Sequence, residues 1–181
     1  MPRPSRPVAP FAVALLLAVL AVGALAAAAR PAFAASPERV RFEVMAHGDP
    51  AAQAFRTVGP DAEVRYGNGT LRGTTTIAGT PYDAELLGTL HYVDGSGPFT
   101  GWWTFTAPDG DRLALAYRAE VRQRGTATRI TGRLHVIGGT GALVDVTGGG
   151  TLTGVRRTDL GGDVQYSFDL RLRHLPVAPD R

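Results

Sequence analysis

The sequence predicts an all-β protein, a closed antiparallel barrel of about eight strands, on three observations. Turn signals built on glycine recur at intervals of about ten to fifteen residues, the spacing of a sandwich or barrel. The segments between them alternate apolar and polar side chains with a period of two, as half-buried strands do. No segment beyond position 34 has a sustained helical period, so no βαβ unit is available and hairpin-length links make the sheet antiparallel.

Taken in order, Val40, Phe42 and Val44 alternate with Arg39, Arg41 and Glu43. Positions 50–56 allow a short helical turn, ended by Gly59-Pro60. Gly67-Asn68-Gly69 reads as a hairpin turn, and that reading also accounts for the Asn68-Gly69-Thr70 glycosylation sequon. Ala84, Leu86, Leu90 and Tyr92 form one strand face between the turns at Gly79-Thr80-Pro81 and at positions 94–98. Trp102 and Trp103 are neighbours, so they face opposite sides of a strand; alternation with Phe105 sends Trp103 inward and Trp102 outward. Leu113, Leu115, Tyr117, Ala119 and Val121 share a face, as do Ile130, Leu134 and Val136. Gly138-Gly139-Thr140-Gly141 and Gly148-Gly149-Gly150 read as turns. Val164, Tyr166, Phe168, Leu170 and Leu172 make the last strand face, set against Gln165, Ser167, Asp169, Arg171 and Arg173. Closure into a barrel would remove the exposed edges of such a sheet.

Residues 1–34 read as a signal peptide. Arg3 and Arg6 precede an uncharged run rich in Ala, Leu and Val, and Ala32-Phe33-Ala34 is a small-x-small cleavage signal. The run is long enough to span a bilayer, but its alanines are weakly apolar. Cleavage would start the mature chain at Ala35 in a secreted, extracytoplasmic setting. Residues 35–60 then supply an N-terminal strand and linker, 61–175 the barrel core and 176–181 a flexible tail. The chain has no Cys, so no disulfide or thiol chemistry is available. All 19 basic residues are Arg, and removing Arg3, Arg6 and Arg30 leaves a mature chain with as many acids as bases. Its net charge therefore gives no footprint for nucleic acid or for an anionic membrane. A membrane-spanning barrel needs an apolar outer face, whereas Arg and Asp recur here.

The motif search excludes several chemistries. Strand-like His135-Val136-Ile137 followed by Gly138-Gly139-Thr140-Gly141 suggests a dinucleotide loop, but that site needs a helix directly after the glycines. Gly148-Gly149-Gly150 would fall inside it, so no cofactor is predicted. His47, His91, His135 and His174 have no ligand spacing between them, and His47-x-Asp49 reads as a polar loop, so no metal is predicted. There is no Gly-x-Ser-x-Gly motif. Glu120 and Asp145 remain carboxylates that an inward orientation would make useful.

The stretch 136–143, with Gly138-Gly139-Thr140-Gly141, followed by the Gly-rich 147–154, resembles the allene oxide cyclase and dirigent barrel superfamily, most of all its exported bacterial members of unassigned function. Residues 94–101 and Asp109-Gly110 fit the same layout, and the resemblance runs from Asp61 to Arg173. The chain departs from it at Leu143, where the superfamily more often has Phe, and at Val144-Asp145-Val146. The resemblance implies an eight-stranded barrel with an apolar cavity that holds a hydrophobic molecule, often in an oligomer. The matched motif is a turn, so it carries no catalytic residue across.

The expected function is binding of a small hydrophobic molecule or a protein partner. Tyr92, Trp103, Phe105, Tyr117, Tyr166 and Phe168 are the inward aromatics that would line or fill the cavity. Trp102 is the candidate contact in a homo-oligomer. The alternatives are a cyclase- or isomerase-like enzyme using the same cavity, and a structural, oligomerising protein with a filled interior.

Overall fold

A computed structural model describes residues 36–60 and 63–176. The predicted signal peptide, the last five residues of the tail and Asp61-Ala62 lie outside the described residues. Nine strands follow in order: β1 (Glu38–Gly48), β2 (Ala54–Val58), β3 (Val64–Ile77), β4 (Thr80–Val93), β5 (Gly97–Thr106), β6 (Arg112–Arg124), β7 (Ala127–Gly139), β8 (Thr147–Arg156) and β9 (Val164–Arg173). Every pairing between them is antiparallel.

Sequential hairpins run from β3 to β9, and β1 then closes the ring. It pairs with β9 from Glu38↔Leu172 to Ala46↔Val164, and with β3 at His47↔Arg72 and Gly48↔Leu71. β2 takes over along β3, from Ala54↔Asn68 to Val58↔Val64. β1 and β2 thus form one interrupted stave, and the barrel has eight staves from nine strands. The interruption is the helical turn expected near position 50, confined to Pro50–Ala52. The Asp49 side chain accepts a hydrogen bond from the Ala51 amide and Pro50 fixes the first φ, which starts the turn. The Asp49 amide still donates to the Thr70 carbonyl, so the chain rejoins β3 at once.

Alternation places Val44, Leu86, Leu115 and Leu172 inside with their polar neighbours outside. The middle of the barrel is filled by rings. Phe42 stacks on Phe168 at 4.6 Å between centroids, and Trp103 stacks on Phe105 at 5.8 Å. Trp103 also meets Phe168 and Tyr166 edge to face at 5.3 and 5.1 Å. Each such pair contributes roughly 0.5–1.5 kcal/mol beyond its burial. One end is plugged by the Gly141–Leu143 turn, which buries Leu143. The Ala142 amide donates to Asp111 Oδ2 at 2.6 Å and the Arg112 amide to Thr140 Oγ1 at 2.9 Å. The glycine motif therefore anchors a plug, with its amide committed to an internal carboxylate.

Two predicted turns are corrected. Gly67-Asn68-Gly69 lies inside β3, and Gly148-Gly149-Gly150 lies inside β8. Close approach of neighbouring backbone explains these glycines. A Cβ at Gly67 would stand 2.1 Å from the Ala54 carbonyl oxygen, and one at Gly148 2.0 Å from that of Arg171.

The closing seam generates two expectations. A Cβ at Gly73 would stand 2.3 Å from the Met45 carbonyl oxygen, so Gly73→Ala must force β1 off β3. Urea unfolding should show a loss of about 3 kcal/mol, and a change within about 0.5 kcal/mol would mean that the seam does not constrain the barrel. Across β1–β9, Arg39 donates to both Asp169 carboxylate oxygens and Arg41 Nε to one at 3.2 Å. The Arg39 hydrogen bond, helped by that of Arg41, holds the Asp169 carboxyl down at about 2. Its folded value lies below an unfolded value near 3.9, so its stabilisation is complete above that value and lost as pH falls towards 2. Asp169→Asn should flatten the acid limb of stability between about pH 5 and 2, read from urea midpoints at each pH.

Candidate functional site

The barrel's open space lies at the end opposite the Leu143 plug. Strand alternation aims Leu90 and Tyr92 of β4, Phe99 of β5, Ile130 of β7, and Val164 and Tyr166 of β9 into a pocket of about 30 Å³. That is room for about two water molecules. Two segments roof it: Gln53 and Phe55 at the β1–β2 break, and Leu160-Gly161-Gly162 in the β8–β9 loop. The Gln53 side-chain amide donates to the Gly161 carbonyl at 2.6 Å and ties the two together. Outside the roof an open cleft of about 650 Å³ shares Tyr92, Arg156 and Leu160 with the pocket. These three side chains separate the closed space from the open one.

Arg156 is the chemical centre of this mouth. It is 8% exposed, and among the described residues it forms no ion pair with any acid. One terminal nitrogen donates to Thr128 Oγ1 at 3.2 Å, and the Thr128 hydroxyl in turn donates to Gln123 Oε1. Its Nε has no partner within the protein. Burial lowers its pKa, and the nearby tyrosines and Asp159 offset that only in part. A guanidinium stays charged even so, and a buried charge without a counterion is costly.

Three tyrosines converge on the same end. Burial raises the pKa of Tyr92, Tyr117 and Tyr166 well above the ordinary phenol value, so all three keep their protons. The Tyr117 and Tyr166 hydroxyls are buried without a partner within the protein, and a Cβ at Gly88 would lie 2.6 Å from the Tyr117 oxygen. The closed pocket thus has a cation and hydroxyl donors in an apolar wall, while Glu63, Asp94 and Asp159 stand with Arg65 in the open cleft outside it. The groups of the pocket able to hydrogen-bond a guest are donors: the Arg156 Nε and the protonated tyrosine hydroxyls.

All six aromatics singled out in the sequence point inward, but to two different places. Tyr92 and Tyr166 line the pocket and Tyr117 lies beside it, while Trp103, Phe105 and Phe168 belong to the packed centre. Trp102 stands on the outer face, 52% exposed and directly opposite Leu87. Glu120 and Asp145, the two carboxylates considered for an inward role, are exposed. His47 Nδ1 lies 3.1 Å from Asp163, and Asp49 pairs with Arg72, so these two side chains turn to different partners. The sequence reading missed Arg156, Gln53, Phe55 and Leu160. A signal for Arg156 was present: Leu152, Gly154 and Arg156 share the inward phase of β8.

No family model matches the sequence, and no curated protein matches it. The fold is similar to the solved structure of a pterocarpan synthase dirigent protein. The likeness has a TM-score of 0.50 at 13% identity and covers 78% of this chain and 91% of that one. The architecture is a dirigent-like closed barrel.

A buried charge held without a counterion should weaken the fold. Arg156→Met keeps an unbranched apolar stem and removes the charge, so stability should be unchanged or rise by about 1 kcal/mol. Tyr166→Phe removes an unpartnered hydroxyl and should likewise be neutral or stabilising by about 1 kcal/mol. Urea unfolding of both variants checks this. A loss of about 3 kcal/mol in either would make the residue a structural support instead.

Proposed function

We propose that this dirigent-like barrel is a receptor for a small, largely apolar molecule carrying a carboxylate or similar anionic group. The observation that carries the reading is Arg156, buried at the mouth of an apolar pocket with no acid paired to it. A guanidinium in that setting favours a planar anion, which it meets with two parallel hydrogen bonds. The protonated hydroxyls of Tyr92 and Tyr166 are further donors to the same group.

The aromatic centre leaves no ligand-sized space, so the ligand enters from the open cleft and lifts the roof. Phe55 and Leu160 are only partly buried, and the Gln53–Gly161 hydrogen bond is the polar tie between the two roof segments. The apolar part of the ligand replaces Phe55 against Leu71 and Leu90, and its acid stays at Arg156. A pterocarpan synthase built on the same architecture supports the use of this barrel for small molecules. In this reading the N-terminal segment exports the protein, and its ligand is met outside the cytoplasm.

Calorimetric titration with a flat aromatic carboxylate and its neutral carboxamide tests the reading. The acid should bind about 10- to 100-fold more tightly, the value of a charge-assisted hydrogen bond in a dry site. Arg156→Met should erase that preference and leave the amide's affinity unchanged. Phe55→Ala should strengthen binding of both. Equal affinities of acid and amide, or a preference that survives in Arg156→Met, would contradict the proposal.

A further inference from the structure

The outer face of β6 and β7 carries a second site of different chemistry. Arg118, Arg122 and Arg124 on β6 and Arg129 and Arg133 on β7 are all exposed. Arg118 stands directly opposite Arg133, and Arg122 directly opposite Arg129. Like charges in register repel one another. Among the described residues none of these five arginines forms an ion pair, and what sets them apart from the barrel's other unpaired arginines is that they stand together in register. The flanking strands present neutral residues: Thr100 and Pro98 beside Arg118 and Glu120, Thr151 and Val155 beside Arg133 and Arg129. Five positive charges are therefore concentrated on a single strip.

We infer that this strip is a docking surface for a linear acidic polysaccharide. Its charges come in two cross-strand pairs, about 13 Å apart along the strands. Glu120 and Thr131 face each other between the pairs. A linear acidic polysaccharide carries hydroxyls as well as anionic groups, so it can set acids at the arginine pairs and turn ring hydroxyls to Glu120 and Thr131. A nucleic-acid strand carries a phosphate at every nucleotide, so one falls against Glu120 between the pairs. The row next to the Arg118–Arg133 pair is Trp102–Ala116–His135. The exposed indole there is an apolar platform on which a sugar ring can lie, and it extends the strip.

Affinity chromatography and titration of the purified protein on heparin, with neutral dextran and oligo(dT) as comparators, test the inference. Heparin should bind, dextran should not, and oligo(dT) should bind at least tenfold more weakly at equal charge. R118Q/R133Q and R122Q/R129Q should each weaken heparin binding about tenfold or more in low salt. Each should also lower the slope of log Kd against log salt by about two, with an unchanged or higher thermal midpoint. E120Q should tighten binding a few-fold. R39Q/R41Q, which removes arginines already paired with Asp169, should leave it unchanged. Failure to bind heparin, an equal loss in R39Q/R41Q, or tighter binding of oligo(dT) would overturn the inference.

Discussion

An eight-stave barrel encloses a space about as wide as a few facing side chains, and what fills it decides everything else in this molecule. Here Phe42, Trp103, Phe105 and Phe168 occupy the middle, with rings stacked or edge to face. A filled middle leaves room only at the ends. The Gly138–Gly141 motif spends one end on a plug, because its turn carries Leu143 inward and ties back to Asp111 and Arg112. The other end is where β1 breaks, β2 begins and the β8–β9 loop folds over. The pocket, its roof and its arginine lie there for that reason.

Position 156 ends the inward phase of β8, where packing alone would favour an apolar residue. An arginine there has given up water and receives one hydrogen bond's worth of compensation, from Thr128. Arg39, Arg41 and Arg72 instead form exposed ion pairs that keep their solvent. A buried charge without a counterion is costly, and the proposed ligand would supply the missing anion. The outer strip on β6 and β7 shows the same economy on a surface: arginines in register, with no internal acid to meet them.

Much of the barrel is legible in the sequence because alternation is a local property. Val164 to Leu172 and Leu113 to Val121 announce their inward faces without help from the fold. The glycines mislead, because a glycine that opens a turn and one that lets two backbones touch look alike in sequence. Gly67 and Gly148 are of the second kind, and only the neighbouring strand reveals it. The site is less legible for a related reason. Polarity assigns faces, so an inward arginine is read as outward unless its strand's phase is followed to the end. Gln53, Phe55 and Leu160 come together from segments about a hundred residues apart, and no local pattern joins them. The net charge hid the β6–β7 strip, since a sum over the chain says nothing of where the charges stand.

The central claim is that Arg156 meets the anionic group of a ligand at the barrel mouth. The most direct measurement is arginine-selective NMR of the Nε–H group of Arg156 during titration with an aromatic carboxylate, its signal assigned by loss in Arg156→Met. The account predicts that this one resonance shifts downfield and saturates with the binding curve while the resonances of Arg39 and Arg41 stay in place. An Arg156 signal that remains fixed while the ligand saturates its site would contradict it.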